Sequence, residues 1–115
     1  MPRYKLVFFT PTSSTQTILA HLFAHFPRSV GRIGLYGGCA FVSRGTGQFV
    51  PQEGAQPAIG QVGTPERVEE DRVEVVVHAS ADPASGVEMH RVLEELKKVH
   101  PYEEVAYDVY KLEPF

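Results

Sequence analysis

Twice in this chain a run of β-branched or aromatic residues leads into a helix with an apolar stripe, and this doubling constrains the fold more than any other feature. The first run is YKLVFFT, residues 4–10. PTSSTQTILAHLFAHF follows, in which Ile18, Leu19, Leu22, Phe23 and Phe26 recur at helical spacing. Ser13 and Gln16 have the spacing of a capping box, and Pro27 lies just past the helix. The second run is ERVEEDRVEVVVHA, residues 66–79. It precedes ADPASGVEMHRVLEELKKV, whose stripe is Met89, Val92, Leu93, Leu96 and Val99. Asp82 is placed as N-cap and Pro83 as the first helical residue, and Lys97 and Lys98 suit the negative end of the helix dipole. Pro101 biases His100 away from helical angles, so the helix stops there and VAYDVYKL forms a last strand.

Between the two halves, VGRIGLYGGC holds four glycines in eight residues, which implies positive φ angles or close backbone approach. CAFVSRGTGQFVP reads as a hairpin with GTG as its turn. QEGAQPAIGQVGTP, residues 52–65, is a loop long enough to have a packed or functional role. Val73, Val75 and Val77 share one strand face and Val68 is out of phase with them, which predicts a bulge near Glu69–Asp71. The order is therefore β-α-β(hairpin)-β-α-β. It describes an α+β, ferredoxin-like antiparallel sheet with two helices on one face and an extra β-hairpin, in one domain spanning residues 1–115.

Composition narrows the function classes. A net charge of −3 with acids and bases interspersed gives no basic footprint for nucleic acid. No apolar run approaches the ~20 residues of a membrane-spanning helix, and Leu6–Phe9 is too short for a signal core. The single cysteine, Cys39, excludes an internal disulfide framework and fits a reducing compartment, so the expected location is cytoplasmic.

The densest chemistry is HPYEE. His100 and Glu103, three residues apart, are the candidate ligands for a divalent metal ion or partners in proton sharing. The alternative is a joint: Pro101 breaks the helix, Tyr102 packs at the corner with its hydroxyl on a polar partner, and Glu103 caps or pairs. Glu103 and Glu104 point to opposite sides once the chain is extended, and Glu103 is the better placed to join His100. His21 and His25 are i,i+4 on the first helix, but they lie opposite its stripe without the carboxylate of HExxH, which reads as a solvated face. Cys39 is a nucleophile only with a base such as His78 or His100 beside it; its default is a small buried hydrophobe. GRIGLYGG, with Arg32, can cradle an anion through its N–H groups, yet it fits neither a Walker loop nor GxGxxG. Glu69–Arg72 reads as an exposed strand edge or subunit contact. No complete catalytic set stands out, and no catalytic residue is assigned.

Five blocks, YKLVFFTP, GRIGLYGGCAF, GTGQFVPQEGAQPAIGQVG, ERVEEDRVEVVV and HPYEEVAYDVYKLE, resemble in this order the YqfO-type domain of the Nif-three-like proteins. The chain departs from that pattern at Val105, where a proline is expected, and at PRSVGRIG, where a glycine pair is. The resemblance implies a PII/CutA-like form of the ferredoxin-like fold and a homotrimer, with loops meeting at subunit clefts. It places a binding site for a small molecule, metal ion or protein partner at Arg32, Gly34, Tyr36, Cys39, Tyr102 and Glu104. It also implies that the family's two-metal centre lies in the flanking main domain, so a GTP cyclohydrolase type 2-like activity is not expected of these residues. The second reading is a small metal-dependent enzyme built on His100 and Glu103.

Overall fold

A computed structural model describes residues 2–79 and 86–115. The expected Asp82 cap and Pro83 lie outside the described residues. Strand β1 (Arg3–Pro11) passes through a 3-10 turn at Thr12–Ser14 into α1 (Thr15–His25). Strands β2 (Phe41–Phe49) and β3 (Glu66–His78), helix α2 (Gly86–Val99) and strand β4 (Tyr107–Leu112) follow. The strands form one sheet in the order β2-β3-β1-β4, with every neighbouring pair antiparallel. This is the ferredoxin-like arrangement, a split β-α-β in which β3 lies between β1 and β2.

Residues opposed in register share a face. Leu6 faces Val75 and Phe8 faces Val73, and these inner positions pack with Ile18, Leu22, Val92 and Leu96 into one buried cluster. Each apolar stripe read from the sequence thus meets the sheet. The other face carries Lys5, Val7 and Phe9 of β1 beside Glu70, Arg72 and Glu74 of β3. No helix lies over it among the described elements, and Phe41 and Tyr110 on this face are 66% and 52% exposed.

Four local expectations are corrected. GTG is not a hairpin turn: Gly45, Thr46 and Gly47 lie inside β2, paired with Glu70, Glu69 and Val68. Neither glycine has a positive φ, and a long strand partner outweighs their weak strand preference. The true connection between β2 and β3 is residues 50–65, with positive φ at Gly54, Gly60 and Gly63. No bulge interrupts β3, whose register with β1 and β2 is constant throughout; Val68 simply sits on the face away from the helices. Ser13 and Gln16 form no capping box. The helix N-cap is Ser14 without a side-chain bond, because the 3-10 turn shifts the start by one residue. Finally, Glu69–Arg72 is not a sheet edge: β3 is central, and Glu70 and Asp71 are only 9% and 5% exposed.

Where β2 stops at Phe41, residues 29–31 take over the edge of β3. His78 N–H donates to the Ser29 carbonyl at 2.7 Å and Gly31 N–H to the Val76 carbonyl at 2.9 Å. Gly31 is required there. Its φ is +74°, and a Cβ would stand 2.5 Å from the Phe23 ring and 2.9 Å from the Cys39 carbonyl.

Candidate functional site

α2 ends at Val99, and Pro101 turns the chain across the end of β1. His100 is buried at this joint. Its Nε2–H donates to the Phe9 carbonyl at 2.7 Å, and its Nδ1 accepts the Tyr102 N–H at 3.0 Å. Burial pushes its pKa below the ordinary imidazole value, the Phe9 carbonyl and the Glu70 charge opposing in part. The ring is neutral, and both nitrogens are engaged by main chain. It has no lone pair left for a cation in this arrangement.

The joint aims Tyr102 at β3. Its hydroxyl donates to Glu70 Oε2 at 2.9 Å, and its ring meets Phe49 edge-on, with centroids 5.9 Å apart. Burial, followed by the bond to Glu70 and the Glu70 charge, pushes the phenol pKa well above its ordinary value, so it stays a donor. Gly47 makes room for the carboxylate: a Cβ there would lie 1.8 Å from Glu70 Oε1. The glycine that reads as a turn residue is a close-approach residue inside a strand.

Glu103 does not join His100. It accepts the Gln56 N–H at 2.8 Å and so ties loop 50–65 to the corner. Loop and corner enclose a half-open cleft of about 510 Å³ over this end of the sheet. Phe9, Phe49, Val50, Pro51, Pro57, Ala58 and Ile59 supply apolar wall, and the polar side chains are Gln48, Glu70, Tyr102, Glu103 and Glu104. No Lys or Arg is among the lining residues. The arrangement suits an apolar body with a hydrogen-bond donor or positive charge at one end.

The glycine-loop residues lie at the other end of β3. His78 Nε2–H donates to the Arg32 carbonyl at 2.7 Å, and Arg32 Nε donates to the Gly34 carbonyl at 2.8 Å. Gly34 has φ +56°, and Tyr36 bridges back to Ile33 and is exposed. Cys39 is half-buried with its Sγ 3.8 Å from the Gly37 carbonyl, while the hydrogen bonds of His78 and His100 go elsewhere. Of the residues singled out in the sequence, the structure brings Tyr102, Glu103 and Glu104 to one cleft and leaves Arg32, Gly34, Tyr36 and Cys39 apart from it. The sequence reading missed Glu70 and Gly47. Alternate glycines at 45 and 47 opposite an acidic stretch were the available signal, since glycine inside a strand marks a close approach.

No protein-family model matches the chain. It is 44% identical over 110 residues to the GTP cyclohydrolase 1 type 2 homolog of Mycobacterium tuberculosis, covering 96% of this chain and 26% of that protein. The crystal structure of a Bacillus cereus protein related to NIF3 superposes with a TM-score of 0.74 at 40% identity, over 98% of this chain and 26% of that one. CutA1 from Pyrococcus horikoshii superposes with a TM-score of 0.60 at 15% identity, over 97% of this chain and 85% of the other, which is a likeness of fold. The chain thus spans about a quarter of the length of the full-length relatives it matches.

Proposed function

Since the chain belongs to the Nif-three-like family, matching one segment of its members, we propose that it is a cytoplasmic, homotrimeric binding module, not a catalyst. Its ligand is a small molecule with an apolar body and a positively charged or donor-rich end. One observation carries this reading: the part-buried Glu70–Tyr102 pair lies at an apolar cleft whose other polar side chains include Glu103 and Glu104. Binding energy would come from covering the apolar walls, and selectivity from the carboxylates. A polyphosphate would meet three like-charged groups and no cation, so the cyclohydrolase named in the relatives is not carried to this segment.

The trimer rests on surface chemistry. Phe41 and Tyr110 stand exposed on the uncovered sheet face, and Leu35 in the glycine loop is 92% exposed. A second and third copy packed on that face would cover these side chains and help to close the neighbouring cleft.

A thermal-shift panel of aromatic and alkyl amines against isosteric alcohols tests the ligand. Saturation at 100 times Kd adds about 2.7 kcal/mol of stability. Amines are expected to raise Tm more than alcohols, and Glu70→Gln to abolish the preference. Absence of any amine effect, or an unchanged preference in Glu70→Gln, refutes the cleft. Light scattering after size exclusion tests the assembly, and a strict monomer at micromolar concentration refutes it.

A further inference from the structure

His21 and His25 stand one helical turn apart on α1, which packs against α2. The sequence suggests a solvated face because no carboxylate follows His21 locally. The structure supplies one from the other helix. Glu95 Oε1 lies 2.8 Å from His21 Nε2 and 3.8 Å from His25 Nε2. The three potential ligand atoms all fall within 4.8 Å of one another, and this is the one such His/Cys/Asp/Glu group among the described residues.

Two contacts prepare these groups. His25 Nδ1 is 3.0 Å from the His21 carbonyl. A carbonyl only accepts, so Nδ1 carries the proton and the neutral ring presents its Nε2 lone pair toward Glu95. An N–H bonded to a backbone carbonyl is the usual outer-sphere support of a metal-binding histidine. On the other side, Lys98 Nζ holds Glu95 Oε2 at 2.9 Å and leaves Oε1 facing the rings. The imidazole rings lie with centroids 4.0 Å apart and planes tilted by 36°, so both face the same side of the helix.

We propose that His21, His25 and Glu95 form a surface site for a borderline divalent transition metal, zinc first, that staples α1 to α2. Tetrahedral zinc with bonds of about 2.0–2.2 Å sets its ligand atoms roughly 3.3 Å apart, so the group needs only small side-chain adjustments. In the metal-free protein His21 Nε2 carries the proton that bonds to Glu95. The metal takes the Nε2 lone pair once that proton has moved through solvent to Nδ1, so the ring stays neutral. Half-exposed His25 leaves the fourth position open to water. Two nitrogens and one oxygen favour Zn²⁺, Ni²⁺ or Cu²⁺ over Mg²⁺ and Ca²⁺, which take oxygen ligands.

The test uses the full chain stripped of metal and titrated with Zn²⁺ alone by calorimetry. One Zn²⁺ per chain is expected, with a raised Tm. His25→Ala alters a half-exposed side chain and leaves folding intact; it and His21→Ala should weaken Zn²⁺ binding by about 100-fold or more, at or beyond the range seen for loss of an outer-sphere partner. His90→Ala, an exposed control on α2, should bind as the parent does. Co²⁺ should give the intense visible spectrum of a tetrahedral site in the parent and lose it in Glu95→Gln. Absence of stoichiometric Zn²⁺, or binding that survives His25→Ala, overturns the site.

Discussion

Tyr102→Phe isolates the bond on which the cleft is built. It removes one oxygen, keeps the ring against Phe49, and deprives Glu70 Oε2 of its 2.9 Å donor. A hydrogen bond to a charged group is worth about 1.5–3 kcal/mol. The cleft is half-open, so water can replace the hydroxyl in part, which places the cost near the lower figure, about 1.5 kcal/mol. At about 4 °C per kcal/mol for a domain of this size, Tm should fall by about 6 °C. The assay is urea and thermal unfolding of the parent, Tyr102→Phe, Glu70→Gln and the double variant. In that cycle the second substitution should cost less once the first is present, because both remove the same contact. A Tyr102→Phe loss below about 0.5 kcal/mol with full additivity would refute the assignment of this bond as the anchor of the corner.

Gly47→Ala should destabilise by about 1–3 kcal/mol, since its Cβ would displace Glu70, and should cost distinctly less in a Tyr102→Phe background; denaturant midpoints decide this. Gly31→Ala should cost at least as much, measured in the same way, because a positive φ and two close contacts act together there. The pKa of His100 is depressed in the folded state, so its contribution is complete above the unfolded value of about 6.5 and declines as pH falls below it. Glu95 is held down to about 2, first by the Lys98 and then by the His21 hydrogen bond, so its contribution is complete above about 4.5 and declines below it. Stability measured against pH should therefore begin to fall below about 6.5 and fall further below about 4.5, and His100→Gln should remove the loss that begins at the higher pH.

Elements that depend on local periodicity were legible in the sequence: both helical stripes, the Pro101 stop and the valine face of β3 stand where the spacing puts them. The failures share a cause. GTG has turn composition, but turn residues do not turn when a partner strand runs past them, and only the tertiary register shows that Gly45 and Gly47 oppose the acidic run of β3. Glu70 and Asp71 look solvent-bound by residue type, yet each is buried with a partner 32 or 56 residues away, Tyr102 in one case and Thr15 in the other. Glu95 is likewise 74 residues from His21. Periodicity reports which side of an element is apolar; it carries no information on which distant polar group waits on the other side.

The distance between the two groups of candidate residues has a further consequence. The glycine loop is anchored at Val76–His78 and the Tyr102 corner at Glu70, on the same strand. From Val77 to Glu70 is seven steps of about 3.3 Å, or roughly 23 Å. A side chain such as Tyr36 spans only a fraction of that distance, so Arg32, Tyr36 and Cys39 do not line one pocket with Tyr102 and Glu104 inside a single chain. They can share a site only if the loop of one copy meets the corner of another. The two halves of the proposal are thereby separable. If the protein is monomeric, a composite cleft is excluded, while the cleft between loop 50–65 and the corner is unaffected, because Gln56, Glu103, Tyr102 and Glu70 all belong to one chain. If it is trimeric, Tyr36→Ala becomes informative: a change in ligand affinity with the trimer intact would place the glycine loop at a neighbour's corner, and an unchanged affinity would leave the site wholly within one subunit.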